Sequence, residues 1–241
     1  MNDHYIIADS KNWKPTRTTR IGVQTGQCFS QISSDTHLKL WHFYRGTGNH
    51  YPDGDRRNPR YIFFPHWSHI ISAEIYETYE CVMFHMTDLP YGRGGSPLQN
   101  LIARGHTETK LTAFKCVKEI DAGPIYLQRD LSLAGAAWEI YDRASDLIED
   151  MIAEIVATNM IPVPQDGVPT FFKRRTPEQS KLDGRLSDRC TSKDIYDHIR
   201  MLDAPSYPHA FIEGNGIRCE FTDAQLTGDA VTAKVVITPC A

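Results

Sequence analysis

Apolar residues in this chain fall into two rhythms: short unbroken runs, and one long stretch spaced at three and four. Tyr5 to Ala8, Tyr61-Ile62-Phe63-Phe64 and Cys81-Val82-Met83-Phe84 are short and rich in strand formers, so they read as buried strands, the last ending in His85. Thr112 to Val117 and Pro124 to Leu127 are further strand candidates. From Ala137 to Thr158 the positions Ile140, Ala144, Leu147, Ile148, Met151, Ile152 and Ile155 recur at three and four, which predicts a helix. A helix capped by Ser68 and running to about Tyr76 would separate the strands at 61 and 81. That makes a βαβ unit, with parallel pairing and a right-handed crossover. Ser10 to Asp55 shows no clear period and reads as an abbreviated entry.

Punctuation residues divide the chain. Ser96, Pro97 and Gln99 spell an N-cap, an N1 proline and a capping-box partner, predicting a helix from there to about Arg104, before Gly105. Between Ile161 and Pro177, four prolines, a Gln-Asp-Gly turn and a Lys-Arg-Arg run predict a surface linker. Beyond it, Ser192 is the expected cap of a short helix with Ile195, Ile199 and Leu202 on one face. Ala210 to Glu213, Asn215-Gly216 and Ile217 to Phe221 spell a hairpin. The organisation expected is α/β: a mostly parallel sheet domain over residues 1–160, a linker over 161–180, and a small helix-and-hairpin appendage over 181–241.

Composition narrows the partners. A formal net charge of -4 over 241 residues argues against a phosphate backbone as the main partner, so no nucleic acid is expected. Six cysteines at 28, 81, 116, 190, 219 and 240 form no Cys-x-x-Cys pair and read as reduced thiols. With neither a signal peptide nor an apolar run of about 18 residues, a cytoplasmic protein without membrane contact is expected.

His85 is the first candidate for chemistry, because open α/β sheets place ligands at the carboxyl ends of their strands. On periodicity alone the favoured reading is a core histidine bonded to a backbone carbonyl, and the surrounding motif is what turns it toward chemistry. Asp121, in Asp121-Ala122-Gly123, is either a turn cap or a carboxylate for proton transfer. Gln99 has a structural role in a capping box, and Arg93 one in an ion pair. His66 and His69 have a metal-ligand spacing but no third ligand of clear spacing, so no metal is expected. Gly46, Gly48 and Gly54 lack the strand-turn-helix context of a nucleotide loop and read as turn residues.

Three segments in register carry a resemblance. His85, Thr87, Leu89, Pro90, Arg93, Gly94, Pro97 and Gln99, then Gly105-His106-Thr107-Glu108-Thr109, then Ile120-Asp121-Ala122-Gly123-Pro124-Ile125, resemble the folate-dependent formyltransferases. The likeness is good over 61–160, weaker over 173–226 and slight over 1–60. It implies a Rossmann-like formyltransferase domain, 10-formyltetrahydrofolate as co-substrate, and formyl transfer to an amine. His85 is then the donor to the tetrahedral oxyanion and Asp121 the acceptor of the amine's proton. The resemblance further implies a folate site drawn from Met83, Thr87, Leu89, Arg93, Gly94, Gln99 and His66.

One position departs from the family pattern. Where formyltransferases carry Asn-x-His, this chain has Met83, and a thioether donates no hydrogen bond. Asn100 is the expected substitute donor, with Thr87, His66 or a backbone amide as alternatives. The run Phe84 to Pro97 resembles most of all the sugar N-formyltransferases of pseudaminic-acid and surface-polysaccharide type. With the net charge and short tail, this sets the expectation of a nucleotide-linked amino sugar as acceptor, and it allows a homodimer. The alternatives are a methionyl-tRNA formyltransferase, a formyltetrahydrofolate hydrolase and a non-catalytic folate- or sugar-binding relative.

Overall fold

A computed structural model describes residues 3–8, 17, 28–33, 59–182, 190–205 and 207–240. Most of the entry segment expected at Ser10 to Asp55, including Gly46, Gly48 and Gly54, lies outside the described residues. The described elements are β1 (Asp3–Ala8), β2 (Cys28–Ser33), β3 (Tyr61–Phe64), α1 (Ala73–Tyr76), β4 (Glu80–His85), β5 (Arg93–Gly94), α2 (Pro97–Ile102), β6 (Glu108–Lys115), β7 (Ile125–Ser132), α3 (Ala137–Thr158), β8 (Phe171–Phe172), α4 (Ser192–Arg200), β9 (Ala210–Gly214), β10 (Ile217–Thr227) and β11 (Ala230–Pro239). They fall into two compact units: Met1–Arg93, Lys110–Arg129 and Ala144–Thr170 in the first, Gly94–Thr109, Asp130–Arg143 and Phe171–Ala241 in the second.

A six-stranded sheet has the order β2-β1-β3-β4-β6-β7. β1 pairs in parallel with β2 and β3, and β3 with β4, where Phe64 lies opposite Met83. β6 is antiparallel to β4, with Thr112 opposite His85. The fold is therefore α/β with a mostly parallel sheet. Ile6, Ile7, Ile62, Phe63 and Phe64 are fully buried, as an unbroken apolar run requires when both faces of a strand are covered. Each such side chain contributes about 1.5–3 kcal/mol on burial. α3 forms over the predicted residues, and Ile140, Ala144, Ile148, Met151, Ile152 and Ile155 make its buried face.

Several elements differ from expectation. The helix before β4 spans only Ala73–Tyr76, with Ser72 rather than Ser68 at its start. Trp67 packs edge-on against Phe64, 5.5 Å between ring centroids, and that packing overrides the cap signal of Ser68. α4 is capped by Thr191 rather than Ser192, in a reciprocal pair with Asp194. The Asn215-Gly216 turn forms as predicted, both residues having positive φ. The hairpin, however, extends into a three-stranded sheet, β11-β10-β9. The register between β10 and β11 shifts between Thr222 and Gln225, where the Asp223 N–H leaves the ladder for Asp203 Oδ2 at 2.8 Å. No described helix is long and apolar enough to cross a membrane.

Candidate active site at the end of the fourth strand

Alternation along β4 places Cys81, Met83 and His85 on one face. The His85 ring is 8% exposed, and its Nε2 lies 2.9 Å from Gly92 O. A carbonyl only accepts, so Nε2 carries the proton in this contact and Nδ1 is the ring nitrogen left for chemistry. Nδ1 faces Asp121 Oδ2 at 3.8 Å. That separation is too long for a hydrogen bond and close enough for the two groups to share a small ligand.

The Asp121 turn is tightly determined. Asp121 has φ +51, a left-handed conformation that aspartate visits more readily than most residues. A Cβ at Gly123 would stand 1.7 Å from Lys115 O, so only glycine fits against the end of β6. The Lys115 N–H donates to Pro124 O at 2.8 Å, closing the turn onto the strand.

The loop after His85 is pinned from both sides. Thr112 Oγ1 donates to Thr87 O at 2.7 Å and accepts from Gln128 Nε2, which also donates to Asp88 Oδ1. Gly92 N–H donates to Thr170 Oγ1 and Arg93 N–H to Thr170 O. Gln165 Oε1 accepts from Arg93 Nε and Nη2, while its Nε2 donates to Asp121 O and Gly123 O, both at 2.8 Å. Sequence reasoning missed Gln165 and Thr170, because the prolines and the Gln-Asp-Gly turn around them spell a linker. The stretch instead runs through the first unit as far as Thr170 and borders the site.

The remaining expected residues divide by unit. In the first, Met83 packs against a cluster of Tyr5, Ile7, Ile62, Phe64, Ile71, Ile75 and Cys81, which Trp67 and Cys116 also join. Leu89 and Thr87 are buried. His66 Nε2 shares a 2.7 Å hydrogen bond with Ser145 Oγ. Trp67 Nε1 and Thr87 Oγ1 are buried with no hydrogen-bond partner among the described residues. Burial, and next the charge of Asp121, push the Cys116 thiol up to about 11. Burial raises Cys81 further, so neither thiol is a nucleophile at neutral pH.

In the second unit, Ser96 stands at the start of α2 but has φ +51 and makes no side-chain cap. Its Oγ accepts from Arg175 N–H and Tyr207 OH. Gln99 is turned away from the expected capping box, its Nε2 donating to Met201 O and Tyr141 OH. Asn100, expected as the substitute oxyanion donor, commits its Nδ2 to Gly95 O, Ser96 O and Lys173 O, each at 3.0 Å. In this structure that amide is engaged by the backbone carbonyls around α2. Gly94 has φ +102, and a Cβ there would meet Phe172 O at 2.4 Å, so glycine permits the close approach of two backbone segments.

Known proteins place this geometry in context. The family described as methionyl-tRNA formyltransferase, C-terminal domain, matches residues 177–238. A methionyl-tRNA formyltransferase structure from Clostridium thermocellum is 40% identical, covers 100% of both chains and superposes with a TM-score of 0.86. The methionyl-tRNA formyltransferase of Streptococcus pyogenes serotype M28 is 30% identical over 161 residues, 64% of this chain and 50% of that protein. The chain thus spans about half the length of the curated relatives it matches. HypX from Aquifex aeolicus in complex with tetrahydrofolic acid shares the fold at 16% identity, covering 91% of this chain and 37% of its own, with a TM-score of 0.67. Formyltransferases of this kind use 10-formyltetrahydrofolate as donor. The matches overturn the expected amino-sugar acceptor, and with it the exclusion of nucleic acid, since the relatives matched at 30–40% identity are named for methionyl-tRNA. Net charge misled because it sums the whole chain and is blind to local patches such as Lys173-Arg174-Arg175.

Proposed function

Because the chain belongs to the formyltransferase family, we propose that it moves a formyl group from 10-formyltetrahydrofolate to the amino group of methionyl-tRNA. The observation that carries the reading is the His85–Asp121 pair at the end of β4, 3.8 Å apart, in a chain matched along its whole length by a methionyl-tRNA formyltransferase. The residues present suit a folate. Trp67 Nε1–H, buried with no hydrogen-bond partner among the described residues, is a donor in the first unit that a folate carbonyl would satisfy. On the acceptor side, Lys173 and Arg174 in the second unit are exposed cations suited to phosphates.

The chemistry needs one base and one oxyanion donor. The Asp121 carboxylate takes a proton from the methionyl ammonium, and the freed amine forms a C–N bond to the formyl carbon. Negative charge gathers on the formyl oxygen. His85, its ring orientation set by the Nε2–H bond to Gly92 O, presents Nδ1 to that charge and donates from there when protonated. As the bond to the folate nitrogen breaks, that nitrogen takes up the proton held by Asp121 and the newly acylated nitrogen gives its surplus proton to solvent, leaving tetrahydrofolate, formylmethionyl-tRNA and one released proton. Incubating the chain with 10-formyltetrahydrofolate and methionyl-tRNA tests this reading. Tetrahydrofolate and formylmethionyl-tRNA are expected to appear one for one. Formate release without formylated tRNA, or no tetrahydrofolate at all, overturns it.

A further inference from the structure

Every hydrogen-bonding position of one side chain beside the site is taken up by groups that border His85 and Asp121. Gln165 Nε2 donates to Asp121 O and to Gly123 O at 2.8 Å each, bracketing the turn that holds the carboxylate. Gln165 Oε1 accepts from Arg93 Nη2 at 2.7 Å and Arg93 Nε at 3.1 Å. Arg93 follows Gly92, whose carbonyl oxygen accepts from His85 Nε2. Thr170 closes the same ring, accepting from the N–H groups of Gly92 and Arg93. The chain of contacts therefore runs from the His85 ring, through Gly92 and Arg93, to Gln165 and back to the Asp121 backbone.

We infer that Gln165 is a positioning residue that sets the separation of His85 and Asp121, an inference that rests on the reading of Asp121 as the proton acceptor. Two features make a brace necessary. Asp121 sits in a left-handed conformation, φ +51, which costs a non-glycine residue about 1 kcal/mol and persists only where its surroundings impose it. The 3.8 Å gap between Nδ1 and Oδ2 holds no direct bond, so nothing within the pair fixes its distance. A side-chain amide fits the task because it has two N–H donors for two carbonyls and an oxygen with two lone pairs for the guanidinium. Glutamate is isosteric but puts an oxygen against those carbonyls. The class of residue needed is thus a neutral amide of this length.

Gln165→Ala, Gln165→Glu and Asp121→Asn, each alone, and Gln165→Ala combined with Asp121→Asn, test the assignment. A misplacement of about 1 Å at a reacting group costs on the order of 100-fold. Gln165→Ala and Gln165→Glu are therefore expected to lower kcat about 100-fold while KM for 10-formyltetrahydrofolate stays within about twofold. In the Asp121→Asn background, Gln165→Ala is expected to add less than about threefold, since the group it positions is already disabled. Independently of turnover, the ring-nitrogen resonances of His85 in nitrogen-15 NMR are expected to move in both Gln165 variants. Full additivity with Asp121→Asn, a loss confined to KM, or unmoved His85 resonances in a folded Gln165→Ala protein overturns the positioning role. Absence of transfer in the parent protein, with the His85 resonances still moving, counts instead against the formyl-transfer reading.

Discussion

Two buried polar groups lie on either side of the glycine-rich bend, His85 from the motif and Asn100 as the expected substitute donor, and the structure gives them opposite characters. Asn100 Nδ2 spends its hydrogens on three backbone carbonyls around α2. His85 spends one ring nitrogen on Gly92 O and leaves the other 3.8 Å short of Asp121. A side chain whose bonding capacity is closed locally holds structure. One that stops about 1 Å beyond hydrogen-bond reach of its partner is, under the proposed function, the group assigned to chemistry. Gln165 is a third kind, closed itself but closed onto the backbone that flanks His85 and Asp121.

The comparison breaks most sharply at Asp121. Asp121→Asn keeps the shape and loses the basicity, and is expected to cut transfer by about 1,000-fold with an unchanged melting temperature. Retained activity with an unaltered pH–rate profile would reduce Asp121 to a turn residue. His85→Ala comes next, with a loss of about 100-fold in kcat in a folded protein. Near-normal turnover would remove it from the reaction.

Asn100→Ala should behave the other way round. Ser96 O keeps the Asn100 backbone N–H, so taking the side-chain donor from Gly95 O and Lys173 O is expected to cost about 2 kcal/mol in denaturant unfolding, while kcat of the folded fraction stays within about threefold. Were kcat to collapse at full stability, the distinction between Asn100 and His85 would fail. Met83→Asn sharpens the same point by adding an amide donor on the face that carries His85. It is expected to raise kcat several-fold, at a stability cost of about 1–2 kcal/mol for placing an amide among the apolar residues around Met83.

The smallest effect concerns Cys116, whose thiol burial raises to about 11, with Asp121 as the second cause. Between about 9 and 11 the folded chain keeps a proton that the unfolded chain has lost. That group therefore costs nothing below about pH 9, and its penalty on folding grows as pH rises through the window. Alkylation of Cys116 at pH 9 should be slow in the parent and modestly faster in Asp121→Asn, where the neighbouring negative charge is gone. Equal rates would show that the charge does not reach the thiol.

Much of the frame was legible in the chain. The buried runs at β1, β3 and β4 and the three-and-four spacing of α3 are local patterns, and period alone specifies them. β11 was missed, although Ala230 to Pro239 is rich in β-branched residues, because an exposed strand has no buried face whose period announces it. The cap signals of Ser68, Ser96 and Ser192 were sound as local preferences. They lost to Trp67 packing on Phe64, to Arg175 and Tyr207 on Ser96 Oγ, and to the Thr191–Asp194 pair.

The candidate site divides in the same way. Sequence by itself placed His85 at a strand end and Asp121 in a glycine turn, since both positions follow from neighbours a few residues away. Only the tertiary structure decided which nitrogen of His85 faces Asp121, that Asn100 is consumed by backbone, and that Gln165, 44 residues beyond Asp121, braces the turn. Those outcomes depend on which donors and acceptors meet across long loops. No periodicity encodes such meetings, because one hydrogen bond between distant segments leaves no repeating trace in the chain.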